Sequence, residues 1–324
     1  MTDLKGFALP NLVRIREVEE MNKMLEGKVA IVTGAGRGIG RGIAESMAAH
    51  GAKVVVNDLG ATSDGQGVDS GPANETVEAI KKAGGEAIVN GDSVASWDGA
   101  HAMVENALSN WGRIDCVVNN AGILRDVIFH KLEEADFDAV VNVHLKGTFN
   151  VSRAAAPHFR KQESGAYVHM TSNSGLIGNF GQANYVAAKL GIVGLSKSIA
   201  LDMSRFNVSS NCISPTAWSR LTGTIPARND SERDRVEKIK AMTPDKIAPL
   251  ATYLCSDVAN DVTGQIFAVR NNEIFLMSQN RPLRSVHDSD GWTPEKISNH
   301  AMPALKSLFY DLDRSADVFC WDPI

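Results

Sequence analysis

Cysteine is scarce in this 324-residue chain. Cys116, Cys212, Cys255 and Cys320 sit far apart, with no paired spacing. That excludes a disulfide framework or a cysteine-rich metal knuckle, and the expectation is a cytoplasmic protein with no metal site. No apolar run reaches the ~18 residues of a membrane span, so no membrane is expected as a partner. No long basic block exists and the net charge is -5, so no nucleic acid is expected either. Internal repeats and low-complexity segments are absent. The first residues lack an uninterrupted apolar core, because Asp3, Lys5, Arg14, Arg16, Glu17, Glu19 and Glu20 break it up. Leu12, Val13, Ile15 and Val18 would line one side of a short helix. Residues 1–25 therefore read as an N-terminal arm, although Met21 and Met24 leave a later start open. The last residues, Trp321-Asp322-Pro323-Ile324, are not a peroxisomal address.

What is present is ordinary globular composition, 44% hydrophobic and 22% charged, arranged with a clear alternation. Short β-branched runs lie at 28–33, 53–58, 87–90, 114–119, 166–171 and 208–214, with a further strand expected at 264–269. Helical stretches lie between them, near 39–51, 73–84, 98–111, 133–161 and 182–205. Strands alternating with helices imply βαβ units and a parallel sheet. The strands are continuously apolar, which means both faces are covered. The expected fold is α/β: a doubly wound parallel sheet of Rossmann type, about seven strands with helices on both faces, over residues 26–270. Residues 271–324 carry Pro282, Pro294, Pro303 and Pro323 but also Trp292, Phe309, Tyr310, Phe319 and Trp321. That much aromatic surface predicts a C-terminal extension packed on the domain or on a neighbouring subunit.

The first strand runs into Thr33-Gly34-Ala35-Gly36-Arg37-Gly38-Ile39-Gly40, and a helix follows. Glycines let a backbone approach a pyrophosphate, which then sits on the helix N-terminus. Glycines also punctuate plain turns; the buried strand before this loop and the helix after it favour a dinucleotide. Asp58 ends the second strand, where a carboxylate can accept the adenosine ribose hydroxyls and repel a 2′-phosphate. Arg37 pulls the other way, since it could pair with that phosphate, unless it is simply exposed or paired with Asp58. The expected cofactor is NAD, with NADP possible. Asp92-Ser93 after the third strand either caps the adenine or forms a polar turn. Asn119-Asn120-Ala121-Gly122 ends the fourth strand at the sheet edge where such folds bind ligands.

Tyr185 and Lys189 lie four apart in a strongly helical stretch and share one helix face. A phenol titrates near ~10, too high for a base at neutral pH. A neighbouring ammonium, together with a cationic nicotinamide, would stabilise the phenolate and lower that value. Tyr185 could then take the proton of an alcohol and return it in the reverse direction. Ser172, at the end of the fifth strand, could hydrogen-bond the substrate oxygen. Taken singly, a tyrosine and lysine at this spacing are more often a surface pair; their order after the glycine loop and the strand-end serine carries the signal.

In that order the chain resembles the short-chain dehydrogenase/reductase family. TGAGRGIG (33–40), NNAG (119–122), Ser172, Tyr185-Val-Ala-Ala-Lys189 and Pro215 match its motifs. The resemblance implies a catalytic set of Ser172, Tyr185 and Lys189. It implies cofactor contacts at Gly34, Arg37, Gly38, Ile39, Gly40, Asp58, Asp92, Ser93, Asn120, Ala121, Gly122, Tyr185, Lys189 and Pro215. VVVNDLG (54–60), NNAGILRD (119–126), VHLKGTF (143–149) and GNFGQANY (178–185) are similar to the dehydrogenase unit of peroxisomal multifunctional β-oxidation enzymes and their bacterial single-domain relatives. That likeness implies an NAD-dependent oxidation of (3R)-hydroxyacyl-CoA esters, with no hydratase or lipid-carrier domain following here. Family members are commonly dimers or tetramers, so a homodimer or homotetramer is expected.

The chain departs from the wider family in two places. His144 stands where that family has an asparagine holding a relay water, so His144 is either a fourth catalytic residue or a core histidine. Pro215 is followed by Thr216 rather than glycine. Thr222 is a candidate contact for the nicotinamide amide. The loop 60–72 is long and polar and would border the adenosine. Two other readings stay open: a dehydrogenase of a steroid, terpenoid or other secondary alcohol, and a non-catalytic NAD-binding sensor. The intact Ser172, Tyr185 and Lys189 speak against the sensor.

Overall fold

The computed structural model describes residues 23–218 and 237–324. Residues 1–22 of the expected arm and Thr222 lie outside the described residues, whereas Leu25, at the arm's expected end, is fully buried in the core. Among the described residues eight strands form one sheet: β1 Val29–Thr33, β2 Lys53–Asn57, β3 Glu86–Asn90, β4 Cys116–Asn119, β5 Gly165–Met170, β6 Val208–Thr216, β7 Ile266–Arg270 and β8 Glu273–Leu276. Their spatial order is β3-β2-β1-β4-β5-β6-β7-β8. The first seven are parallel. β8 runs antiparallel to β7.

The main helices among the described residues are α1 Gly38–Ala49, α2 Gly71–Lys82, α3 Trp97–Trp111, α4 Glu134–Val141, α5 Gly147–Gln162, α6 Ala183–Met203 and α7 Ala248–Leu254. Ile43 and Met47 of α1, Val77 and Ile80 of α2 and Leu254 of α7 bury against alternate residues of the strands, such as Val32, Val54 and Val118. Met103 and Val104 of α3 and Val151 and Phe159 of α5 cover the opposite residues, such as Ile31, Val55 and Val117. Two buried faces explain why the strands read as unbroken apolar runs. Among the described residues no helix is long and apolar enough to cross a membrane.

Two features refine the sequence reading. The helical stretch at 133–161 is not one helix: a wide π-type turn, Asn142–Lys146, separates α4 from α5. The extra residue of that turn swings His144 inward, to 3% exposure. The eighth strand lies in residues 271–324, beyond the seven strands expected. Its cause is a tight turn at Asn271-Asn272, where Asn271 holds φ 55°. Asparagine tolerates that left-handed conformation, which a two-residue hairpin demands. The later part of the tail returns to the body. Phe319 and Trp321 pack around Phe275 of β8, and Arg270 stacks over Trp321. Phe309 and Tyr310 stay 60% and 86% exposed in the single chain.

The functional consequence of the strand order is at its centre. β1 leads outward on one side to β2 and on the other to β4, so their carboxyl ends open a crevice at a topological switch point.

Candidate active site

The crevice is shaped by close backbone contacts that only glycine permits. A Cβ on Gly34 would lie 2.8 Å from the Cα of Ala121, and one on Gly40 only 2.2 Å from the Gly34 carbonyl oxygen. The loop can therefore fold flat onto the end of β4 before α1 begins. Asn120 locks it there, its Nδ2 donating to the carbonyls of Thr33 (2.9 Å) and Gly34 (3.0 Å). Thr33 supports the other strand end: its Oγ1 accepts from the N–H groups of Asn120 and Ala121, both at 3.0 Å. Thr33 opens the TGAG motif, and a hydroxyl at a strand end was the available clue to its role.

A cleft of about 320 Å³ lies above this floor. Of the expected cofactor residues, Gly34, Arg37, Asp58, Asp92 and Ser93 line it on one side. Asn120, Ala121 and Gly122 line it on the other. Gly38 opens α1, and a Cβ there would meet nothing within 4 Å, so the helix N-terminus faces open space. Ile39 instead packs onto the core beneath. Gly40, Tyr185, Lys189 and Pro215 do not border this cleft; Pro215 sits in β6 opposite Val269.

Asp58 is held by two backbone donors, Gly36 N–H on Oδ2 and Gly60 N–H on Oδ1, each at 2.7 Å. Its carboxylate thus fixes the glycine loop as well as edging the cleft. Arg37 is not its partner: the guanidinium lies 4.0 Å from Asp69 of the loop 60–72. Asp92 is oriented by Asn90, whose Nδ2 donates to it at 2.7 Å. Asn57 braces the same turn through the Asp92 carbonyl at 2.8 Å. These two asparagines end β2 and β3 and escaped the sequence reading, because buried strand-end amides look like core punctuation.

Ser172, Tyr185, Lys189 and His144 do converge. Ser172 follows β5 and its Oγ accepts from the N–H of Ser174, 3.2 Å away, which starts a one-turn helix, Asn173–Leu176. Lys189 is 4% exposed, and its Nζ donates to the Met170 carbonyl at 2.7 Å. That nitrogen lies 5.5 Å from the centre of the Tyr185 ring. The His144 ring meets Tyr185 edge-on, with centroids 5.2 Å apart. Gly122 makes room for it: a Cβ there would come within 2.2 Å of His144 Cε1.

Charge in this cluster departs from the expectation. Burial raises the Tyr185 phenol above its ordinary value, Ser172 opposes that rise, and the Asp126 charge adds to it. Burial also pulls Lys189 down to about 7. The expected lowering of the tyrosine needs the lysine together with a cationic nicotinamide. In the protein alone, burial is the largest influence on each group, and the raised phenol stays protonated at neutral pH. His144 is held neutral, pulled down to about 3 by burial and then by the Lys189 charge. Its Nε2 faces both the Ile123 carbonyl, at 2.7 Å, and the Ile123 N–H, at 3.1 Å, and so finds a partner in either neutral tautomer. Nδ1 is left buried without a partner.

The tail reaches the same rim. Ser315 N–H donates to the Gly178 carbonyl at 3.0 Å, and Arg314 lies 5.8 Å over the Phe180 ring. Asp322 pairs with Lys238 at 2.8 Å.

A dinucleotide floor at the switch point, joined to a half-buried serine and tyrosine and a buried lysine, defines an oxidoreductase acting on an alcohol or ketone. The short chain dehydrogenase family matches residues 28–231, and this chain belongs to it. The peroxisomal multifunctional enzyme type 2 of Drosophila melanogaster is 46% identical over 237 residues, 73% of this chain and 38% of that protein. This chain thus spans well under two thirds of that relative. The hydroxyacyl-CoA dehydrogenase ChsB1 of Mycobacterium tuberculosis is 34% identical, covering 85% of this chain and 87% of that protein. The crystal structure of a short chain dehydrogenase from Mycobacterium avium superposes with a TM-score of 0.78 at 38% identity, covering 89% of this chain and 97% of that one. The family implies NAD(P), and the glycine floor, open helix N-terminus and acidic rim described above fit it.

Proposed function

We propose that this protein is an NAD-dependent dehydrogenase of (3R)-hydroxyacyl-CoA type substrates, with Tyr185 as its acid–base. The observation that carries the reading is the half-buried Tyr185 paired with the buried Lys189, one helical turn apart on α6 with Ser172 beside them, at the edge shared with the glycine floor. NAD, when bound, supplies the hydride acceptor and, in its oxidised form, a positive charge beside the phenol. Gly34, Gly38, Asn120 and Asp58 would hold it, with Gly40 packed against Gly34 to keep the loop flat.

Each side chain has a separable role. Ser172 orients the substrate oxygen by hydrogen bonding. Tyr185 exchanges one proton with that oxygen: as found, protonated, it can give a proton to a ketone; as phenolate, it takes one from an alcohol. Lys189, when protonated, stabilises the phenolate and holds the nicotinamide ribose. Its bond to the Met170 carbonyl keeps the ammonium aimed while the site excludes water. With its proton on Nε2, donated to the shorter Ile123 carbonyl contact, His144 presents Nδ1 as an acceptor, suited to a water that relays the proton outward.

The preference for NAD rests on charge. Asp58 edges the cleft, and Arg37 is countered by Asp69, so a 2′-phosphate would meet carboxylates before it met a cation. The substrate class rests on the hydroxyacyl-CoA dehydrogenase named among the relatives and on the four segments shared with the multifunctional enzymes. A dimer or tetramer, with residues 271–324 contributing to the substrate rim or to a neighbouring subunit, belongs to the same reading. The test is NADH formation over a panel of hydroxyacyl-CoA esters, hydroxysteroids and simple secondary alcohols. Turnover confined to the steroids or simple alcohols would refute the substrate class.

A further inference from the structure

Residues 123–126 lie between the dinucleotide cleft and the catalytic helix and touch both. On the cleft side they carry the loop 60–72. Leu124 N–H donates to the Ser63 carbonyl at 2.9 Å. Gly65 lies against Ile123, where an added Cβ would come within 3.1 Å of Cδ1. Arg125 Nε donates to the Asp64 carbonyl at 3.1 Å. The loop is pinched at its neck, with Asp69 N–H donating to the Leu59 carbonyl at 3.1 Å. Thr62, Ser63 and Gly65 form one wall of the cleft.

On the other side the same segment holds the surroundings of Tyr185. The Arg125 carbonyl accepts from Nδ2 of Asn184 at 2.9 Å. Asn184 is fully buried, and its Oδ1 accepts the N–H of Tyr185 at 2.8 Å. Arg125 Nη1 donates to Asp136 of α4 at 3.2 Å, and the Asp136 carbonyl accepts from the same Asn184 amide at 3.3 Å. The Arg125 side chain therefore fastens the loop, its main chain fastens the start of α6, and Asp136 joins the two.

We propose that Arg125 is a positioning residue that clamps the loop 60–72 over the cofactor and ties the closed loop to the helix carrying Tyr185. Cofactor affinity and the proton-transfer step are then set together. The inference rests on the reading that NAD fills the cleft. Arginine suits the task because its rigid fork donates in two directions at once, toward Asp64 and Asp136; a lysine ammonium satisfies the two only in part. The Arg125 and Asp136 side chains are 22% and 30% exposed, so the pair is half-buried and some loss of stability accompanies its removal. Its loss belongs in binding and turnover more than in melting temperature.

The test uses the full chain with Arg125→Met, Arg125→Lys and Asp136→Asn. NAD affinity is measured by calorimetry without substrate, and kcat, KM and the pH profile of kcat by NADH formation. Arg125→Met should weaken NAD binding about tenfold and lower kcat by a similar factor, a change of one decade in each constant. Its pH profile should move as Tyr185 loses its fixed setting. Arg125→Lys should restore part of both losses, and Asp136→Asn should fall between. Arg125→Met binding NAD and turning over like wild type would overturn the proposal. So would equal losses in both Arg125 variants accompanied by a lowered melting temperature. A wild type that binds no NAD would instead bring down the cofactor reading, and this proposal with it.

Discussion

Acidification from about pH 7 to about pH 5 should weaken the fold through His169, an imidazole outside the catalytic set. His169 is fully buried in β5 and stacks on Tyr167 with ring centroids 5.8 Å apart. Its Nδ1 faces the Asn119 amide nitrogen at 3.0 Å and its Nε2 faces Ser210 Oγ at 3.2 Å. The amide donates, so Nδ1 must accept; a second ring proton would set donor against donor. Burial pulls the group from 6.5 down to about 3. A folded-state value below the unfolded one means that the unfolded chain takes the proton first. Stability is then complete above pH 6.5 and falls as pH drops from 6.5 toward 3. At pH ~5 the loss is about 2 kcal/mol for one such group. His144, pulled down to about 3 as well, adds a similar amount. Against a typical stability of about 5–15 kcal/mol, that is a large share. Urea unfolding of wild type and His169→Gln across this pH range measures it. The variant should lose about 2 kcal/mol of pH dependence, whatever its absolute stability. Parallel pH curves would refute the reasoning.

Asp58→Ala should raise the NADP-to-NAD ratio of kcat/KM by about tenfold or more, since a repulsive charge is removed. Because Asp58 also holds Gly36 and Gly60, affinity for both cofactors should fall; a wild-type preference for NADP would show that Arg37 dominates. His144→Asn should stay close to wild-type kcat, whereas His144→Leu should lose about 10²-fold, as a relay water loses its acceptor. Identical behaviour of the two variants would make His144 a packing residue. Truncation after Met277 keeps β8 and removes the segment bonded to Gly178 and Phe180. NAD affinity should be unchanged while substrate profile or sedimentation changes, and a protein identical in both would deny the tail a role.

Periodicity and end signals made most of the sheet legible. KVAIVT and KVVVND could only be doubly covered strands, and the glycine spacing after β1 placed the crevice. Tyr185 and Lys189 were legible because a helix converts a spacing of four into a shared face. Side-chain environment was not legible. Nothing in VHLKG announces the π-type turn that points His144 inward, since hydrogen-bond slippage leaves the residue pattern helical. The direction of the Tyr185 and Lys189 shifts depends on burial, which a motif does not report. Asn271-Asn272 was a usable hairpin signal, obscured by the prolines that follow. Arg125 and Asn184 emerge only when loops remote in sequence are brought together.

The central claim is that Tyr185 carries the proton. Stopped-flow measurement of NADH formation by Tyr185→Phe, beside calorimetric titration with NAD, tests it most directly. The account predicts unchanged NAD affinity and a fall in the hydride-transfer rate of at least about 10²–10⁴-fold, the usual worth of a positioned acid–base. Retention of even about a tenth of the wild-type rate, with NAD bound normally, would contradict it.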